Sequence, residues 1–295
     1  MKTLLRLRPQ DSLTIAFLLC LVIVALFFHG KIPRFKTVVF IYSALLLAQV
    51  VLIRNRGSFE KNGFMDAFSS IVFPVLCVLV IFDSLELLVH YINPRDIDPL
   101  LIRLDYLIFN GYPTVMLERV HNPVATDILQ SAYISYYFLP ILIGVILKVR
   151  GNQGEFERTV FLVLLCFYLS YVGYLLFPAL GPRYTMNHLQ SFDLKGVVIA
   201  GPVQALLNNI EGVKRDAFPS GHTAVALVVL GLAYRYYRGF FYAALPVVAL
   251  LIFSTVYCRY HYVVDIIGGV FLAVITFIIG DRYYGHWETR NSINN

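Results

Sequence analysis

Residues 222–261 read HTAVALVVLGLAYRYYRGFFYAALPVVALLIFSTVYCRYH: two apolar runs, His222–Tyr237 and Phe240–Cys258, joined by Arg238-Gly239 and bracketed by a histidine at each end. The two histidines are 39 residues apart. At about 1.5 Å per residue that is about 58 Å of helix, or two crossings of a hydrocarbon core about 30 Å thick. The chain therefore crosses and returns, and both histidines come to one face of the layer. Further apolar runs lie at Leu13–Phe28, Thr37–Ile53, Ser69–Ile92, Leu129–Leu147, Thr159–Phe177 and Tyr262–Gly280. The whole reads as an all-α polytopic membrane bundle of about eight transmembrane helices.

Composition agrees. Of 295 residues, 58% are hydrophobic and only 14% charged, with a mean hydropathy of +0.70; soluble domains carry about 25% charged residues. Disorder and an ordinary soluble enzyme are excluded. The net charge of +6 is read as membrane orientation rather than nucleic-acid binding, because Lys and Arg cluster between apolar runs. The short loops carrying Arg54, Arg56, Lys61, Lys148, Arg150, Arg158, Arg235 and Arg238, with Lys2, Arg6 and Arg8 at the start, are denser in basic residues than the alternate loops. They are expected to be cytoplasmic, against the contrary signal of Lys31, Arg34 and Lys36. His29-Gly30-Lys31 replaces a small-residue cleavage site after the first run, so that run is expected to be a retained anchor. The expected division is an N-terminal transmembrane hairpin (1–63), a catalytic membrane domain (64–281) and a cytoplasmic tail (282–295). Cys20, Cys77, Cys166 and Cys258 lie in or beside apolar runs without metal-site spacing and are read as packing residues.

Two long connections, 93–126 and 179–219, fall on the extracytoplasmic side in this scheme. Leu100, Leu101, Leu104, Leu107 and Ile108, interrupted by Arg103 and Asp105, recur at helical spacing, as do Val203, Leu206, Leu207, Ile210 and Val213. Both sets predict amphipathic helices, lying in the interface or packed as surface helices over the bundle.

The polar motifs gather at the same level. His261 and Asp265 are four apart and share a helix face. A carboxylate there can fix one imidazole nitrogen and leave the other as a nucleophile. Ser220-Gly221 precedes a helix start, whose N–H groups suit an anion. Arg183 and Arg259 offer forked donors for phosphate oxygens, and His222 is placed to protonate a leaving oxygen. These are the parts for phosphoryl transfer without a metal or other cofactor.

Pro219-Ser220-Gly221-His222 and His261-x-x-x-Asp265 resemble the second and third signatures of the type 2 phosphatidic acid phosphatase superfamily, over residues 130–280. Two departures stand out: Leu176 occupies the usual Lys place of the first motif, and Ser254-Thr255 the usual Ser-Arg place of the third. Phe177-Pro178-x-x-Gly181-Pro182-Arg183, Tyr257-x-Arg259-Tyr260-His261-Tyr262 and Asp216 resemble the branch with inositol phosphorylceramide synthases, which are inositolphosphotransferases. The resemblance implies a six-helix phosphatase-type core and a membrane lipid or isoprenoid phosphate as substrate. It implies catalysis on the extracytoplasmic face through a phosphohistidine on His261, with Asp265 stabilising it and His222 as acid and base. Arg183, Ser220, Gly221 and Arg259 would hold the phosphoryl oxygens. Water as acceptor makes a phosphatase, and a lipid or polyol alcohol a transferase.

Two other classes compete. His222, His261 and Asp265 as a two-His-one-carboxylate site would make a metal-dependent membrane oxidase or hydrolase. A transporter or non-enzymatic lipid-binding protein would instead place polar motifs at mid-membrane. Asp83, Glu86 and His90 are predicted on one face of the third run, as a proton path, a second substrate contact or a simple approach to the interface. Tyr133, Tyr136 and Tyr137 are candidates to line a lipid groove.

Overall fold

The computed structural model describes residues 7–210 and 214–293, the side chains of 206–210 and 291–293 excepted. Helix makes up 79% of the chain, and the described residues include no strand. The long elements are α1 (Pro9–Phe27), α2 (Phe35–Arg54), α3 (Gly63–Leu87), α4 (Asp98–Phe109), α5 (Pro123–Ile134), α6 (Leu139–Val149), α7 (Gln153–Leu176), α8 (Ala200–Ile210), α9 (Gly221–Tyr236), α10 (Arg238–Tyr257) and α11 (Val263–Ile293).

Each of the eight apolar runs falls on helix, but the count of spans differs from eight. Six helices, α1, α2, α3, α7, α10 and α11, are long and apolar enough to cross a membrane. A seventh span arises if α5, with the 3-10 turn Ser135–Tyr137 that extends it, and α6 are taken together across their 51° bend. That bend follows from Pro140 in the first turn of α6, since proline donates no N–H and its ring crowds the preceding turn. The remaining run, the sixth, is α9, which has only 16 residues.

Helix α7 is the common wall of two apolar cores. Phe161, Leu162 and Cys166 join α6, α9, α10 and α11. Leu164, Tyr168, Tyr171 and Tyr174 join α1, α2 and α3. The N-terminal hairpin is therefore packed onto the bundle, not hung from it.

At the end where α7 begins, several of the basic residues singled out in the short loops find carboxylates: Arg8 with Glu60 and Glu157, Arg56 with Asp11, Lys148 with Asp66, and Arg158 and Arg235 with Asp281. Lys2 and Arg6 lie outside the described residues. The other end carries the long connections. Helix α4 forms as expected but is rotated from the simple amphipathic reading. Leu100, Leu107 and Ile108 are exposed, while Asp98, Leu101 and Asp105 are buried against the bundle. The carboxylates turn inward because they accept backbone N–H groups there. Of the second amphipathic set, Val203 of α8 packs against the cluster of Leu129, Tyr133 and Leu194, and Leu206, Leu207, Ile210 and Val213 lie outside the described side chains. Asp83, Glu86 and His90 lie where the helix of the third run is interrupted. Helix α3 tightens to a 3-10 turn at Leu85–Leu87, Asp83 and His90 are exposed, and Glu86 accepts the N–H of Lys214.

Candidate active site

Three loops meet at the end of the bundle away from the ion pairs. The first, 178–185, follows α7 and carries Arg183; the second, 215–221, leads into α9; the third, 258–263, joins α10 to α11. The backbone N–H of Ala217 donates to Ala179 O, and that of Ser220 donates to Asp265 O. Asp98 of α4 accepts from Leu180 N, Gly181 N and the Tyr262 hydroxyl, which ties the first loop to the third. Gly181, at φ +86°, passes so close to Tyr260 that an added Cβ would lie 2.5 Å from its carbonyl oxygen. Only glycine fits there.

The second loop ends at Ser220, the N-cap of α9, whose hydroxyl accepts from Thr223 N. Gly221 follows because Tyr174 OH stands where a Cβ would go, 2.3 Å away. The start of α11 is capped from outside, with Asp105 accepting from Val263 N and Val264 N. Two of the N–H groups that a helix leaves unpaired are thereby satisfied, and Asp265 is fixed one turn along.

His222, His261 and Asp265 come together, all buried. His261 Nδ1 lies 2.8 Å from Ala217 O and 3.3 Å from Asp265 Oδ2. Both partners are acceptors, so Nδ1 carries the hydrogen and the neutral ring keeps its lone pair on Nε2. That nitrogen faces His222 Nδ1 at 3.3 Å. Burial works against the charged form of His261, but the hydrogen bond and charge of Asp265, the charge of Asp216 and the Ala217 carbonyl outweigh it. Its pKa stands above the ordinary histidine value. The His222 ring is held between Tyr133 and Tyr136, with centroids 4.5 and 4.2 Å away, and its Nε2 has no hydrogen-bond partner.

The two arginines differ. The Arg183 guanidinium lies over the rings of Tyr184 and Tyr260. Tyr260 stacks on Tyr133, which stacks on His222, so Arg183 sits two rings from the pair. Arg259, at φ +66°, turns away. Its Nη atoms donate to Glu118, Gln190 Oε1 and the Phe192 carbonyl, and none is bonded to a histidine. Both arginines line one polar basin with Lys195 and Lys214. Among the described residues, no group of three or more His, Cys, Asp or Glu is placed to hold a metal ion.

An apolar slot runs down from the histidines. His222, Asp216, Tyr136 and Tyr137 line its top, and α3, α6 and α7 form its walls. Of the tyrosines named as groove candidates, Tyr136 and Tyr137 do line it, and Tyr133 backs His222 instead.

The chain matches the sequence profile of the PAP2 superfamily over residues 101–279. It belongs to the PAP2 superfamily. Its matched segment contains all three loops and both histidines. A PA-phosphatase related-family protein of Dictyostelium discoideum is 28% identical over 193 residues, 58% of this chain and 34% of that protein. The chain thus spans about a third of that relative's length. A phosphoinositol dihydroceramide synthase of Bacteroides thetaiotaomicron is 25% identical over 238 residues, 72% of this chain and 76% of the relative. No solved structure matches the chain. Members of that superfamily are phosphatases or phosphotransferases.

Asp98, Asp105, Glu118 and Tyr262 are the site residues that sequence reasoning passed over. The only signal was Asp105 itself, a charge in an otherwise apolar helical pattern.

Proposed function

We propose that this PAP2 protein transfers a phosphoryl-bearing headgroup from a membrane lipid phosphate through a phosphohistidine on His261. The observation that carries the reading is the fixed tautomer of His261: Ala217 O and Asp265 hold Nδ1–H and leave the Nε2 lone pair toward His222. Nε2 attacks phosphorus as the bond from phosphorus to the leaving oxygen breaks, and His222 donates a proton to that oxygen. Asp265 stabilises the imidazolium character that results. In the second half His222 takes a proton from the acceptor, whose oxygen displaces His261. The N–H groups at the start of α9, following Ser220 and including that of Gly221, and the Arg183 guanidinium supply charge stabilisation for the phosphoryl oxygens. Arg259, bound to Glu118, shapes the basin beside Arg183, and a substrate phosphate would have to compete with Glu118 for it.

Transfer to an alcohol is favoured over hydrolysis by the Bacteroides relative, whose printed activity is synthesis of a phosphoinositol lipid and which aligns over most of both chains. The density of basic residues in the short loops supports an extracytoplasmic site. The test is incubation of purified protein with a radiolabelled phospholipid panel, with and without candidate alcohols. A new phospholipid means transfer, and free phosphate alone means hydrolysis. His261→Ala is expected to abolish both, and EDTA to change neither; full turnover in the His261 variant would end the proposal.

A further inference from the structure

The slot below His222 has a floor. Its α7 wall runs from Tyr174 to Phe156, about 27 Å at about 1.5 Å per residue, close to the full thickness of a hydrocarbon core. Near the floor, the π-turn Phe68–Val72 of α3 meets α6; above it, α3 and α6 pack on α7 but hardly touch each other. The slot is therefore open sideways for most of its length and closed at the bottom by Ser70, Gly144, Phe156 and Thr159. The space inside it that admits a water-sized sphere is about 110 Å³, so the slot is narrow for its length. Below Asp216 and His222 its lining includes no ionisable side chain other than tyrosine.

We infer that the slot takes the hydrocarbon chain of the lipid phosphate substrate and that its floor, with Gly144 as the key position, sets the longest chain accepted. This rests on the phosphotransfer reading above. The occupant follows from continuity: the slot begins at the proposed acid, His222, opens toward the membrane lipid and is apolar along its walls. A phosphoryl group at the histidines would sit at the top of this slot, which His222 itself lines. Gly144 has room to report on this, because an added Cβ would meet only Phe156, at an ordinary 3.8 Å. A larger side chain there would fill the slot rather than break the packing. Thr159 marks the bottom a second way: it is buried, and its hydroxyl has no partner, so hydrocarbon laid against it strands a polar group.

The test uses the full chain in detergent or nanodiscs with a series of alkyl phosphates of increasing length. For the unmodified protein, kcat/KM is expected to rise by up to about fourfold per methylene while the chain stays inside the slot, then to level off. Gly144→Leu is expected to move the plateau to shorter chains and to cut kcat/KM for the longest by about tenfold or more. Thr159→Val is expected to favour the longest chains by severalfold. Leu142→Phe, which adds bulk to an exposed position of α6 outside the slot, is expected to leave the profile where it was. A long alkyl phosphate with a terminal diazirine is expected to label the segments around Gly144 and Thr159. Turnover with a profile that Gly144→Leu does not move, and labelling elsewhere, would overturn the inference while leaving the chemistry intact. Labelling at the floor without turnover of any lipid phosphate would keep the slot and discard the phosphotransfer reading.

Discussion

The two ends of the bundle spend their carboxylates differently. At the end where α7 begins, Asp11, Glu60, Asp66 and Asp281 are paired with arginine or lysine. At the site end Asp96 and Glu118 are also paired, with Arg215 and Arg259, but Asp98, Asp105 and Asp127 are given over to backbone N–H groups. Asp98 takes two and the Tyr262 hydroxyl, Asp105 takes two, and Asp127 takes four from residues 197–200. An ion pair between long side chains fixes little, since each partner keeps its own rotamer freedom and solvent screens the charge. A short carboxylate accepting several main-chain donors fixes the backbone itself. The difference teaches where precision is needed. One end closes the bundle, and the other positions a histidine pair.

Breaking the site end at its centre gives the largest effects. His261→Ala removes the nucleophile and is expected to lower turnover by about a thousandfold or more, measured as product formed per mole of folded protein. Asp265→Asn comes next, by about 10²–10⁴-fold, and carries a pH signature. His261 must be neutral to attack, and its pKa lies above the ordinary histidine value, chiefly because Asp265 opposes the effect of burial. Activity should therefore fall with decreasing pH through a midpoint above about 6.5. In the Asn variant, which lacks the charge that favours imidazolium, that midpoint should move down. An unmoved acid limb would mean that Asp265 does not act through His261.

The centre of the site was legible in the sequence because its determinants are local. The 39-residue separation of the histidines places them at one level; Asp265 does reach His261, although His261 lies in the loop before α11 and not on a shared helix face. What sequence could not show depends on tertiary partners. Arg259 looked like a phosphate donor from its place beside His261, but Glu118, 141 residues earlier, binds it. The inward turn of Asp98 and Asp105 was hidden because their partners are main-chain N–H groups of loops far along the chain. Span counting from the sequence could not see the breaks inside an apolar run: the fourth run is bent at Pro140, and the third tightens to a 3-10 turn at Leu85–Leu87.

The carboxylate clamps can be broken without touching a reacting group. Asp98→Ala would leave Leu180 N and Gly181 N unpaired, at roughly 1–3 kcal/mol for each stranded group that water cannot reach, and would leave the Tyr262 hydroxyl with Thr185 alone. It would also loosen the Arg183 loop from the His261 loop, which the Thr185–Tyr262 bond would still join. Turnover is expected to drop about 10–100-fold, mostly in kcat, because misplacement by about an ångström is enough for that. Asp98→Asn keeps one oxygen acceptor and should recover part of the loss. The acid limb of the pH profile should stay where it was in both, which separates a displaced site from an altered His261.

The smallest effect is expected at the opposite end. Arg235→Ala removes one of two arginines on Asp281, and Arg158 remains at 2.9 Å. Arg235 is about two-fifths exposed, so the lost pair should cost no more than about 1 kcal/mol. Some of that cost would be lost packing on Phe277, over whose ring the guanidinium sits; Arg235→Lys would keep the charge and lose most of that stacking. Turnover should stay within about twofold in both, while a thermal-unfolding midpoint falls slightly, more in Ala than in Lys. If Arg235→Ala instead cost tenfold in kcat, the ion-paired end would be setting the geometry of the histidines through α9, whose first turn carries His222 and whose last carries Arg235. The division of labour between the two ends would then have to be given up.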